Sequence, residues 1–461
     1  GVCMKRRVHF VGIGGAGLSP IARVLHERGE IVTGSDRSRS EYAQALEKLG
    51  IQIAYAHDEG NVQGADVVIA SSAIPDDNPE LVAARGQGIP VMHRKEFLPE
   101  LTAGTQVIAV AGTHGKTTTS GLISWLLLQA GCEPTFIVGG MMRDVGTNAR
   151  AGAGPQFVIE ADEYDYAFLG LHPSIAVITN VEHDHPDCFP HFDQVQQAFK
   201  AFVAQVRDLL VLCLDDPVAS RLGRPGLETR TYGLDADADW RAEQVKPNAR
   251  GGMDFQVLQV GKLVGAMSTC LPGRHNVRNV LAALAVGEAL GLPFEESRAA
   301  AAAFHGVGRR FEVLGQAKGV VVIDDYAHHP TEIRSTLEAA RLRYPQGDIW
   351  AVFQPHTYSR TLALLPCLDT AFASADHVIV LDIFAAREKA DPRIDGRRVT
   401  ETIAHPEARF IGSKEEAAQF LLGRVKSGAV VITLSAGDGN RVGEMLLHGL
   451  REQAGGADAG R

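Results

Sequence analysis

The sequence predicts an α/β fold of three domains, each a mainly parallel sheet flanked by helices. Three observations predict it. Strand-like and helix-like runs alternate along most of the chain, which is the pattern of parallel strands joined by crossover helices. Two strands run straight into glycine turns that open helices, at Gly12–Gly17 and at Gly112–Thr118. The length of 461 residues suits roughly three domains, and 45% hydrophobic residues suffice for ordinary cores. The expected boundaries are 1–103, 104–315 and 316–461.

In the first domain VHFVGIGG reads as a strand into a glycine turn and IARVLHERG as a helix ending at glycine. IVTGSD is the next strand, EYAQALEKLG a helix, and DVVIASSAI and IPVMH are short strands. Gly12-Ile13-Gly14-Gly15-Ala16-Gly17 matches G-x-G-x-x-G directly after a strand, a Rossmann-like arrangement that lays a nucleotide diphosphate on a helix start. Asp36 ends the second strand, near the distance at which an acid meets a ribose hydroxyl. Leu101–Thr105 reads as a linker.

The second domain opens on QVIAVAGTHGKTTT, a buried strand, a turn and the helical run TTTSGLISWLLLQAG. Backbone N–H groups of Gly112, Thr113, His114 and Gly115 would cradle an anion. Lys116 adds a full charge, and the hydroxyl of Thr117, with Thr118 beside it, can face Mg²⁺. The usual phosphate-loop spacing asks for glycine where this chain has Val110. Glu163, at the end of QFVIEADE, stands where a second Mg²⁺ carboxylate belongs. The run Asn180-Val181-Glu182-His183-Asp184-His185 ends another strand, with His185 favoured for a metal or substrate role. An oxygen-rich triphosphate site suits Mg²⁺ better than zinc. Strand-like RTYGL, DFQVLQ and KLVGAMSTC precede a turn, LPGRHN, and the helices VRNVLAALAVGEALG and ESRAAAAAF. This is a P-loop ATPase-like domain.

The third domain alternates again, from GVVVIDDYAHH and PTEIRSTLEAARLRY through IWAVFQPH, a long helix SRTLALLPCLDTAFASA, HVIVLDIF and EEAAQFLLGRV to GAVVITLSAGDG and NRVGEMLLHGL. It is Rossmann-like, and its tail GGADAGR is expected to be disordered. At the edge of the second domain, Arg310, in Arg309-Arg310-Phe311, could reach phosphates. Asp325, His328, His329, His356 and Arg360 cap strands and supply the acid, imidazole and guanidinium that an amino-acid substrate needs.

Composition narrows the class. A net charge of −10 argues against nucleic acid as the main partner. The six cysteines are scattered without a C-x-x-C pair, which fits reduced thiols in a cytoplasmic setting. No apolar run is long enough to span a bilayer, and MKRRVHFVGIGG runs straight into a strand rather than a signal peptide. A nicotinamide-dependent dehydrogenase would leave the phosphate loop idle, and a third reading is a P-loop protein that switches shape without making a bond. Two nucleotide-phosphate sites and one polar, histidine-rich cleft together fit a ligase.

The combination of GIGGAG, SSAIPDDNPE, AGTHGKTTT, GGMMRDVGTNAR, EADE, TNVEHDH, PGRHNVRN, GVGRRFE, DDYAHHPTEI and FQPHTYSRT resembles the Mur ligase family over essentially the whole chain. The resemblance implies a UDP-sugar site in the first domain, ATP in the second and the incoming amino acid on the third. It implies ATP-dependent joining of L-alanine to UDP-N-acetylmuramate through an acyl phosphate, in cytoplasmic peptidoglycan precursor synthesis. EADEYDYAF resembles instead the branch that recycles cell-wall tripeptides onto UDP-N-acetylmuramate, whereas FQPHTYSRT fits the alanine-adding branch.

Position by position, the resemblance implies UDP-sugar contacts for Gly14, Gly15, Ala16, Gly17, Asp36, Ser71, Ser72, Ala73, Thr147, Asn148 and Arg150. It assigns ATP to the loop Gly112–Thr118 with Lys116, to an adenine site at His275, Asn276 and Asn279, and to Arg310 and Asp325. Mg²⁺ would be held by Thr117, Glu163 and His185. Tyr326, His328, His356 and Arg360 would face the amino acid, and Lys116, His185, Arg310, His328 and Arg360 would carry the chemistry. Several relatives bridge Mg²⁺ with a carbamylated lysine; the corresponding candidate, Lys200, reads as a solvated lysine. Partners are small-molecule substrates alone, with the chain a monomer or homodimer.

Overall fold

The computed structural model describes residues 5–235 and 237–458. The chain forms two compact units. One comprises the residues up to Glu182 with Asp193–Arg241 and Asn279–Ala301; the other comprises His183–Phe192, Ala242–Arg278 and the residues from Ala302 onward.

The first unit holds a five-stranded sheet in the order Gln52–Ala54, Ile31–Ser35, Arg7–Val11, Val67–Ala70, Val91–His93. Every neighbouring pair is parallel. The strand order reverses beside Arg7–Val11, so the turn after Val11 opens at the carboxyl-end crevice where such sheets bind ligands. Val8, Phe10, Val11, Val68 and Ile69 are buried, as the short β-branched runs of a doubly covered sheet require. Ser19–Glu27 and Pro79–Gly86 start with proline in their first turn, where a missing N–H costs nothing.

The same unit contains a second sheet running Glu228–Gly233, Leu209–Cys213, Ile175–Ile178, Gln106–Ala111, Gln156–Glu160, Thr135–Met142, Thr147–Arg150. Only the last pair is antiparallel. That hairpin was not legible in GGMMRDVGTNAR, whose glycines and charges break any alternation.

In the second unit Met253–Gln259 and Lys262–Thr269 form an antiparallel hairpin. A further sheet runs Glu312–Ala317, Val320–Asp325, Ala429–Leu434, Asp348–Phe353, His377–Val380, Ala408–Phe410, parallel except for its first pair. Ile323, Ile349, Phe353, Phe372 and Ile432 pack on one face of it, and Val322, Val352, Val431 and Leu446 on the other.

Several local expectations need adjustment. Strand Glu312–Ala317 pairs with Val320–Asp325 and straddles the expected boundary at 315/316. The long helix expected from Ser359 is helical only over Tyr358–Leu364, followed by a 3-10 turn at Leu365–Cys367. Pro366 lacks the N–H that would continue it. Helix Arg274–Ala289 begins at Arg274, so His275 and Asn276 lie in its first turn rather than in the preceding loop. Helix Arg441–Asp458 continues into the tail GGADAGR, whose last three residues lie outside the described ones.

The first glycine turn depends on a glycine in the neighbouring strand. A Cβ on Gly34 would lie 2.5 Å from Ile13 Cδ1 and 2.9 Å from the Phe10 carbonyl oxygen. Ile13 is fully buried inside that turn. Gly34→Ala should therefore cost about 1–3 kcal/mol by overpacking. Urea denaturation of the variant checks this, and an unchanged midpoint would mean that Ile13 has room to move.

Candidate functional site

Strand Gln106–Ala111 ends in a loop that only glycine permits at two points. Gly112 has φ +139°, and a Cβ there would sit 1.9 Å from Thr179 Oγ1. Gly115 has φ +81°, with Asn279 Oδ1 2.8 Å from its hypothetical Cβ. Val110, where the usual motif has glycine, is a buried strand residue paired in register with Glu160 and Val177. The loop is therefore shorter than the standard one, and the strand supplies that position.

Residues just past Ile178 lace the loop in place. Thr113 N donates to the Asn180 carbonyl at 2.9 Å and His114 N to Asn180 Oδ1 at 2.8 Å. Thr179 Oγ1 donates to the His114 carbonyl at 2.5 Å, and Glu182 N to Thr113 Oγ1 at 2.8 Å. Helix Lys116–Gln129 starts at the lysine with no side-chain cap. Its first-turn N–H groups thus point at the loop, as anion sites at helix starts do.

Lys116 and Thr117 of this loop each meet a carboxylate. Lys116 Nζ donates to Glu163 Oε2 at 2.7 Å and to the Gly112 carbonyl at 2.6 Å. Burial alone would lower the lysine pKa; the charges of Glu163, Asp162 and Glu160 outweigh it and hold the ammonium above its ordinary value. Thr117 Oγ1 donates to Glu160 Oε2 at 2.9 Å, and Gly139 N reaches the same oxygen at 2.7 Å. A hydroxyl with two carboxylates is a hard-oxygen set that fits a magnesium-sized cation. Glu160 is the carboxylate that accepts from the threonine.

The first glycine turn is stiffened from within. Gly14 N donates to Asp36 Oδ2 at 2.9 Å, and Ser40 Oγ donates to the Gly14 carbonyl at 2.8 Å. Asp36, expected at a ribose, thus also holds the turn. Ser71 Cβ lies 3.1 Å from where a Cβ on Gly12 would be, which sets Ser71 beside the start of that turn. Thr147 is buried and donates to the Ala149 carbonyl at 2.9 Å, with Asn148 next to it on strand Thr147–Arg150. Arg150 instead lines a cavity of 560 Å³ with Trp125, Gln129, Glu133 and Asp144. That cavity lies at the far end of helix Lys116–Gln129, roughly 20 Å of helix rise from Lys116. Lys200 is exposed on helix Phe192–Ala204.

In the second unit the centre is a residue that the sequence pattern did not single out. Asp184 is buried and accepts from Arg360 Nε at 2.7 Å. Arg360 also donates to His185 Nδ1 at 2.8 Å and to His356 Nδ1 at 3.0 Å. His328 Nε2 lies 3.8 Å from Asp184 Oδ2. Burial would raise the Asp184 pKa, but Arg360, His185 and His328 hold it well below the carboxylate range. Burial, then His328 and Arg360, push His356 down to about 3. The His356 ring, neutral and accepting from Arg360 at Nδ1, carries its proton on Nε2. In this arrangement the Nδ1 lone pair of His185 is taken by the arginine. The acidic histidine run was the one sequence signal for Asp184, and its partner lies 176 residues away.

Asp325 accepts from the N–H groups of Phe311 and Ala327, both at 2.8 Å, and burial pushes it up to about 6. Arg310 stacks over the Tyr326 ring at 5.2 Å and lies 3.5 Å from Glu332. Its neighbour Arg309 is committed to Asp324 at 2.9 Å and to the Ser435 carbonyl at 2.7 Å, so of the pair Arg310 is the one better placed for a ligand. Burial and the nearby Arg278 lower the His275 pKa to about 4, which keeps the ring neutral. Asn276 Nδ2 donates to the Pro272 carbonyl at 2.8 Å, while Asn279 stands in the first unit against Gly115. His329 caps helix Pro330–Arg343 through Thr331 N.

Known proteins share this organisation. Residues 7–106 match the family model of the Mur ligase family, catalytic domain; residues 110–287 match the Mur ligase middle domain; and residues 309–437 match the Mur ligase, glutamate ligase domain. A UDP-N-acetylmuramate–L-alanine ligase of Roseiflexus sp. (strain RS-1) is 43% identical over 468 residues, covering 96% of this chain and 99% of the relative. The crystal structure of UDP-N-acetylmuramate–alanine ligase from Thermotoga maritima superposes with a TM-score of 0.82 at 30% identity, over 97% of this chain and 99% of that one. A murein peptide ligase from Psychrobacter arcticus 273-4 reaches 0.70 at 25% identity, over 96% and 98% of the two chains. With three successive domain matches and this identity along nearly its full length, the chain belongs to the Mur ligase family.

Proposed function

We propose that the chain is an ATP-dependent ligase that joins L-alanine to the carboxylate of UDP-N-acetylmuramate in cytoplasmic peptidoglycan precursor synthesis. The observation that carries this is the loop in which Lys116 and Thr117 each face a buried or half-buried carboxylate, within a chain similar from end to end to ligases of that name. No helix among the described residues is long and apolar enough to cross a membrane. The recycling of a cell-wall tripeptide is the weaker reading, since the murein peptide ligase superposes less well, at 0.70 against 0.82.

A carboxylate at neutral pH resists attack by an amine, and phosphorylation gives it a leaving group. The γ-phosphoryl of ATP passes to the muramoyl carboxylate, ADP departs, the alanine amine attacks the acyl carbon, and phosphate leaves with the bonding electrons. Lys116 and the first turn of its helix offset the phosphate charge, which is where such sites gain most. Thr117 and Glu163, with Glu160 beside them, would hold Mg²⁺, whose chemistry is to neutralise phosphate oxygens. His185 is the third metal ligand that the resemblance implies. Gly14–Gly17, with Asp36 and Ser71–Ala73, would hold the UDP part, and Thr147, Asn148 and Arg150 would reach more distant parts of the sugar nucleotide. His275, Asn276 and Asn279 would border the adenine, with Arg310 and Asp325 toward the phosphates. Tyr326, His328, His356 and Arg360 would shape the amino-acid side.

The direct test is phosphate release by purified protein with UDP-N-acetylmuramate, ATP, Mg²⁺ and single amino acids. Turnover with L-alanine and a UDP-muramoyl-alanine product are expected; silence with alanine but turnover with a tripeptide would select the recycling reaction. Lys116→Ala should lower ATP-dependent turnover by roughly 100-fold or more while UDP-N-acetylmuramate still binds by calorimetry. Loss of both would mean that the two nucleotide sites are not separate. Removing Arg360 strands a buried carboxylate, so Arg360→Ala should destabilise the protein by about 3–5 kcal/mol. Adding Asp184→Asn should return part of that loss in urea denaturation, whereas simple additivity would show that the pair is not coupled.

A further inference from the structure

Arg94 stands between the two nucleotide turns of the first unit, and neither turn's expected chemistry uses it. It opens helix Arg94–Leu101, directly after the last strand of the five-stranded sheet. Its Nη1 lies 3.3 Å from Asp162 Oδ2 and 3.4 Å from where a Cβ on Gly17 would be. Its Nε is buried and has no hydrogen-bond partner among the described residues. The guanidinium therefore touches the end of the first glycine turn while one of its donors is unspent.

The turn itself has donors to match. Gly12 N and Ile13 N donate to the Ser35 carbonyl, Gly14 N to Asp36, and Gly15 N to the Gly12 carbonyl. The N–H groups of Ala16 and Gly17 donate to nothing among the described residues. Two backbone donors beside a guanidinium fork are the parts of a phosphate cradle, and a bidentate guanidinium–phosphate pair is stronger than a single bond to a carboxylate at 3.3 Å.

On its other side Arg94 meets the acidic loop of the ATP site. Asp162 is adjacent to Glu163, which holds Lys116. The helix that Arg94 opens also packs on Tyr164–Gly170, so closely that a Cβ on Gly170 would lie 2.1 Å from the Lys95 carbonyl oxygen. Within that segment Asp165 and Tyr166 adopt φ of +54° and +53°, a left-handed conformation that persists only where the surroundings enforce it.

We propose that Arg94 is shared between two anions, Asp162 and the diphosphate of the bound sugar nucleotide, so that filling the first turn releases Asp162 and rearranges the acidic loop beside Lys116. This rests on the reading of UDP-N-acetylmuramate as substrate. Arg94 is on this account a positioning residue that couples occupancy of the two nucleotide sites, and Asp162 is the competitor that keeps the coupling reversible.

Calorimetry with UDP-N-acetylmuramate, UDP and uridine on the full chain and its variants tests the proposal. Arg94→Ala should weaken UDP-N-acetylmuramate and UDP by roughly 10- to 100-fold and leave uridine unchanged, with Arg94→Lys in between. Asp162→Asn should tighten UDP severalfold, an effect that no purely structural role for the pair would produce. Circular dichroism and melting curves of each variant separate misfolding from lost contact. UDP affinity within twofold of wild type in Arg94→Ala, or weakened in Asp162→Asn, overturns the proposal while wild-type product formation leaves the ligase reading standing. A wild-type chain that binds no uridine nucleotide overturns both.

Discussion

A buried ammonium held 2.7 Å from a buried carboxylate, Lys116 against Glu163, is the constraint on which the arrangement of the first unit depends. A lone cation in that place would lose its proton or unfold its surroundings, because desolvation disfavours charge. Glu163, Asp162 and Glu160 make it tenable, and all three sit where strand Gln156–Glu160 ends. Parallel pairing of that strand with Gln106–Ala111 is what brings the acids to the lysine. The two glycines then allow the chain to turn tightly enough for the helix to begin at the lysine itself.

The second unit solves the same electrostatic problem with the signs reversed. There the buried charge at the centre is the Asp184 carboxylate, and Arg360 compensates it while two histidine rings each accept from one of its terminal nitrogens. Such a cluster fixes side-chain geometry tightly, since each group is oriented by the next.

How much of this was legible in the sequence follows from the range over which each feature is determined. The phosphate loop, the first glycine turn and the parallel sheets are local: strand, turn and helix signals lie within about fifteen residues of one another. Glu163 could be named because it ends a strand near that loop. Asp184 could not, because its role exists only when Arg360 arrives from far along the chain. The hold of Asp36 on its own turn was hidden for another reason. The acid was recognised, but its hydrogen bond to Gly14 depends on the exact path of a turn that residue types do not specify. The short helix at Tyr358–Leu364 was misjudged in length because its apolar periodicity continues past Pro366, where the backbone cannot.

The order of strands in the last sheet has a consequence for how the molecule comes into being. Ala429–Leu434 lies between Val320–Asp325 and Asp348–Phe353, hydrogen-bonded to both. It is the last strand of the sheet to leave the ribosome, yet it fills the middle. Until then the earlier strands have no neighbour to pair with at that position, and their apolar edges stand open to other chains. During synthesis the sheet is thus a keyed arch awaiting its keystone, and the vulnerable interval is as long as the time needed to translate from Phe353 to Leu434.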